Sequence, residues 1–145
     1  MHVNSIRTIL MAVAVLTAAV SVGGELVSSS PEGASVYFIA PANGERVEAL
    51  LTLKFGLEGM DVAPAGTDTP NSGHHHLLID LDELPDLTKP LPANDQLQHF
   101  GKGQTQTEIT LPPGTHTLQL LLGNYLHIPH QPPVLSEKIT IIVVE

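Results

Sequence analysis

Along residues 47–55 apolar and polar side chains alternate. Leu51, Leu53 and Phe55 fall on one face, Thr52 and Lys54 on the other. A period of two is the signature of a half-buried strand. Short apolar stretches recur at 36–39, 74–82, 95–100, 104–111, 116–122 and 138–144. Proline, glycine, asparagine and aspartate punctuate the gaps, as in 41–44, 101–103 and 112–114, and no stretch of the mature chain carries a strong helical period. The pattern predicts an all-β domain of about seven short strands, each reversing the direction of the last.

The N-terminus follows a different rule. Arg7 precedes an uncharged, mostly apolar run from Thr8 to Val22, and the small residues Gly23 and Gly24 follow it. That layout reads as a secretory signal peptide over 1–23, ahead of a β-sandwich domain over 24–145. The run is short for a membrane span, which needs about 20 apolar residues, so no span is expected after cleavage. Strands of this number and spacing suggest an immunoglobulin-like antiparallel β-sandwich. Residues 111–118, Leu-Pro-Pro-Gly-Thr-His-Thr-Leu, look like the corner before the sixth strand of such sandwiches. His116 stands there in place of the tyrosine that bonds back to the upstream backbone.

Composition narrows the function. The 145 residues include no cysteine, so disulfides, thiol catalysis, iron–sulfur clusters and thiolate zinc sites are excluded. Fifteen acidic residues against six basic ones repel a phosphate backbone, and nucleic acid is not an expected partner. The chain has no Gly-x-Ser-x-Gly elbow and no His-Glu-x-x-His motif, and an enzyme is the least favoured reading. Residues 79–86 lack the spacing of a calcium loop, and Gly101-Lys102-Gly103 reads as a turn.

What stands out is histidine. Seven of the eight, all but His2, follow the signal peptide. If the strands alternate in direction, His74, His75, His76, His99, His127 and His130 gather at one end of the sandwich, with Met60 in a loop at the same end. His116 falls at the other. Parity along 74–82 puts His75 with Leu77, Ile79 and Leu81 toward the core, and His74 and His76 with Asp80 and Asp82 toward solvent. Imidazoles on a rigid rim suit copper or zinc, and a thioether such as Met60 favours reduced copper. The expected ligands are therefore His75, His99, His127 and His130, with His74, His76 and Met60 as adjuncts. Two other readings compete: a hydrogen-bonded histidine cap on a structural or interaction module, and a pH sensor.

Five stretches carry a family resemblance: Gly-Met-Asp-Val-Ala-Pro-Ala-Gly (59–66), Gly-His-His-His-Leu-Leu-Ile-Asp (73–80), His-Phe-Gly-Lys-Gly-Gln-Thr (99–105), Leu-Pro-Pro-Gly-Thr-His-Thr-Leu-Gln-Leu (111–120) and Pro-His-Gln-Pro-Pro-Val-Leu-Ser (129–136). With them the chain resembles a bacterial family of small secreted proteins classed as a domain of unknown function. Some members bear a rod-shape-determination label. The resemblance implies a periplasmic location and no particular reaction. The combined expectation is a periplasmic sandwich that binds copper or zinc for carriage or sequestration, with the metal ion, and possible contact with another envelope protein, as its partners.

Overall fold

The computed structural model describes residues 26–145, so the signal peptide expected over 1–23 lies outside the described residues. Nine strands form there: β1 (Ser35–Ala40), β2 (Arg46–Val47), β3 (Leu50–Glu58), β4 (Asp61–Val62), β5 (Ser72–Ile79), β6 (Leu97–His99), β7 (Gln106–Thr110), β8 (Gly114–Gly123) and β9 (Ile139–Val143). They make two sheets. One has three strands in the order β1-β3-β7, and the other runs β2-β9-β8-β5, with β4 and β6 both on the outer edge of β5. Set face to face, β1-β3-β7 and β9-β8-β5 reproduce the A-B-E and G-F-C sheets of an immunoglobulin-type sandwich. No helix among the described residues is long and apolar enough to cross a membrane.

The alternation at Leu51, Leu53 and Phe55 turns these side chains inward, against Leu77, Ile79, Leu118, Leu120, Leu122 and Ile141 of the facing sheet. Each such side chain contributes about 1.5–3 kcal/mol when removed from water. Every predicted apolar stretch contains a strand. The stretch 47–55 divides, because β2 pairs with β9 while β3 pairs with β1 and β7. Strand β4 was not expected, since two residues are too few to show a period. The β2–β9 and β4–β5 pairs are parallel, and the remaining strand pairs are antiparallel.

His116 opens the inward run of β8 as a corner. Its Nε2 lies 2.8 Å from the Pro112 carbonyl oxygen and its Nδ1 lies 2.7 Å from Asp80 Oδ2. The ring closes a bond four residues upstream, where a tyrosine hydroxyl does so in related sandwiches.

Two expectations are corrected. Parity along β5 holds for His75, Leu77 and Ile79, which face the core, but Leu81, expected on the same face, lies past the strand's end and the left-handed Asp80 and packs on the outer side. The outer face, moreover, does not meet solvent. All eight positions of β5 are buried. Leu78 and Leu121 on that outer face pack with Leu91 and Leu97, and Leu81, Leu87 and Leu135 join them. The Pro-rich connection after β5 folds back as a cover, giving the sheet a second, smaller core. His74 and His76 share that outer face, with the rings of His127 and His99 against them.

Candidate metal centre

The site is built on two adjacent strands and the turn that follows one of them. His74 and His76 project from the outer face of β5, and residues 74 and 76 pair with Gly123 and Leu121 of β8. Gly123 makes the room. A methyl group there would collide with Cε1 of the His76 ring and stand 3.0 Å from its Nδ1.

The chain then turns back. Asn124 Oδ1 accepts hydrogen bonds from Leu126 N at 2.9 Å and Ile128 N at 3.0 Å, and Asn124 N and O pair with Ile128 O and His127 N, each at 2.8 Å. This side-chain-braced turn holds His127 in the left-handed region, at φ 62°. The ring of His127 is thereby laid over the two strand histidines.

Three ring nitrogens meet. His127 Nδ1 lies 2.9 Å from His74 Nε2 and 3.2 Å from His76 Nε2. One ligand atom from each of the three rings falls within 4.8 Å of the others. His99, paired with His76 across β5 and β6, brings a fourth ring. Its centroid is 4.5 Å from that of His76 and 4.6 Å from that of His127. Its Nε2 is engaged 2.9 Å from the Pro92 carbonyl oxygen.

Burial sets the protonation. His74 is held down to about 4, first by loss of solvation and then by repulsion from His127 and His99. His76 is pushed to about 2 by burial, with repulsion from His74, His99 and His127 adding to it. His127 is also lowered, by burial and by His99. At neutral pH the rings are uncharged, the form in which imidazole binds a metal. Nδ1 of His74 and Nδ1 of His76 are buried without a hydrogen-bond partner.

The remaining candidates sit apart from this triad. His75 points into the sandwich core, 5.1 Å from Phe55 between ring centroids, and neither of its nitrogens has a partner. Burial alone lowers it to about 4. His130 packs beside Gly73, on the side of β5 that His75 faces, with Nε2 3.1 Å from the Ser72 carbonyl oxygen. Its pKa is lowered by burial, against a smaller opposing effect of the Ser72 and Leu122 carbonyls. Met60 is half-buried against the main core. The structure therefore brings His74, His76 and His127 together with His99 beside them, and it separates His75, His130 and Met60 from the cluster. Sequence reasoning missed Gly123 and Asn124. The Gly-Asn pair ending an apolar run signals only a turn, not the ring contact or the double bond that the turn makes.

Fold and geometry together define an all-β sandwich bearing a histidine triad, two rings buried and one half-buried, on the outer face of one sheet. Residues 53–144 match the family described as Domain of unknown function (DUF4399), and the chain belongs to that family. No curated protein and no solved structure matches it.

Proposed function

We propose that the protein binds one transition-metal ion, copper or zinc, through His74 Nε2, His76 Nε2 and His127 Nδ1, and that it carries or sequesters that ion in the periplasm. One observation carries the reading: two ring nitrogens converge on His127 Nδ1, which offers a single in-plane site, a lone pair or an N–H according to its tautomer. Hydrogen bonding makes two neighbours compete for that one site, whichever way the protons lie. A cation would instead receive a separate lone pair from each ring. With metal–nitrogen bonds of 2.0–2.1 Å, separations of 2.9 and 3.2 Å subtend about 90–100° at the ion. All three donors are imidazoles, which suit both metals. The triad contains no carboxylate, so the ion's charge is buried uncompensated. That favours copper in its monovalent state, because desolvation cost rises steeply with charge. The apolar run at 8–22 supports export.

The same contacts support a second reading, a hydrogen-bonded cap that only braces the turn over the sheet. Calorimetric titration with zinc, and with copper(I) under anaerobic conditions, separates the two. Binding tighter than about 10 μM, some 7 kcal/mol, is expected and should vanish in His127→Ala. Absence of such binding, with a melting temperature indifferent to metal and chelator, establishes the cap.

A further inference from the structure

Residues 26–30 lie along the loop that carries His127. Asn124 Nδ2 donates to the Leu26 carbonyl at 2.9 Å and to Ser28 Oγ at 3.0 Å. Farther along, Gln131 N donates to the Ser28 carbonyl at 2.9 Å and Ser30 N donates to the Gln131 carbonyl at 3.1 Å. Ser30 Oγ donates to the Pro132 carbonyl at 2.6 Å. Ser29 and Gln131 thus form a parallel bridge.

Asn124 joins the two elements. It is 1% exposed, and its amide is divided between them. Oδ1 serves the turn, through Leu126 N and Ile128 N, while Nδ2 serves residues 26 and 28. Two other bonds suspend the loop, from Gly66 N to the Tyr125 carbonyl and from Leu91 N to the His127 carbonyl, both 2.9 Å. Neither touches the Asn124 side chain that shapes the turn.

We propose that residues 26–30 act as a strap that positions His127, with Asn124 as the positioning residue, so that the metal site is complete only while the strap is docked. The proposal rests on the metal reading of the triad. Without the strap, the two Nδ2 hydrogens lose their acceptors in a buried place. The amide also loses the contacts that fix its orientation, so nothing holds Oδ1 against Leu126 N and Ile128 N. His127 then loses the brace for a left-handed conformation that a non-glycine residue keeps only when its surroundings impose it. Trimming of the chain past residue 30, or tension on its N-terminal side, would release the ion by this route.

Asn124→Asp tests the coupling, because it keeps both Oδ1 acceptor bonds and removes both Nδ2 donors. Ser30→Pro attacks the strap from its other end and leaves Asn124 intact. Each full-length variant is titrated with zinc and with copper(I) against a chromophoric chelator, and amide exchange at Ile128 is read in the metal-free protein. The expected result is affinity lowered about 10–100-fold in both variants, the range for losing support behind a metal ligand, with faster exchange at Ile128. Metal affinity within about twofold of wild type in both variants overturns the strap. A wild-type protein that binds neither metal overturns the metal reading instead. In that case the strap stands or falls on Ile128 alone, and unchanged exchange in both variants refutes it.

Discussion

Gly123→Ala is the sharpest perturbation of the site. Gly123 does not have a positive φ, so its backbone conformation is open to any residue. In an extended strand, alanine for glycine stabilises by about 0.4–1 kcal/mol through the unfolded chain. Here the added methyl meets Cε1 and Nδ1 of His76, and it also lies 3.4 Å from the His127 carbonyl carbon. His76 is 0% exposed, and the His74 and His99 rings flank it with centroids 4.5 Å away. Overpacking of this kind costs about 1–3 kcal/mol, so the net effect should run from near neutral to a loss of about 2.6 kcal/mol. Guanidinium unfolding of the metal-free protein measures it. A double-mutant cycle with His76→Ala isolates the cause, because removing the ring gives the methyl a place. The double variant should be more stable than the sum of the single losses predicts, by about 1 kcal/mol or more. A stabilising Gly123→Ala, or simple additivity in the cycle, refutes the claim that Gly123 exists to admit the His76 ring.

Two pH dependences follow from the other histidines. His116 feels a lowering from burial, but its bonds to the Asp80 carboxylate and the Pro112 carbonyl outweigh it and its pKa is raised above 6.5. The pair's contribution is therefore fully present below pH 6.5 and is lost as pH rises through the raised value. Asp80→Asn should lower stability most near pH 6 and least near pH 9, and an equal loss at both, measured by urea unfolding, would contradict this. His75 is the reverse case. Burial holds it neutral down to about 4, against 6.5 when unfolded, so its contribution is present above pH 6.5 and is lost as pH falls toward 4. That loss amounts to about 3 kcal/mol at most. In His75→Phe the metal-free protein should lose stability less steeply between pH 6.5 and 4, and an unchanged slope would argue against a neutral His75.

Much of the fold is legible in local pattern. Leu51, Leu53 and Phe55 announce β3 because only a two-residue period puts all three on one core face. The corner at His116 is legible because its hydrogen bond is local, from residue 116 to residue 112. The meeting of distant histidines follows from strand direction alone. What escaped is whatever depends on the third layer. Leu87 and Leu91 stand in a Pro-rich connection without a period, and the alternation that carried Leu81 inward breaks at the left-handed Asp80, so nothing local shows that these three cover the outer face of β5. Parity therefore assigned His74 and His76 the correct face and the wrong environment, and His75, the inward ring, ranked above them as a ligand. Met60 illustrates the same gap: its thioether suits copper, but its loop lays it against the main core. The bonds of Asn124 to Leu26 and Ser28 span nearly a hundred residues and leave no mark in the sequence.

Three consecutive histidines on β5 face in two directions, one inward and two outward. Frame therefore matters more than residue identity at this point in the chain. Deleting a single residue ahead of β5, when the loss is taken up as a one-residue slip of β5 against β8, would turn His75 outward alone and drive His74 and His76 into hydrocarbon. Deleting two would restore the direction of the alternation, though displaced along the strand. Tolerance to length change ahead of residue 72 should thus alternate between odd and even. Such an odd–even rhythm in natural or engineered length variants would report on the site without any histidine being changed.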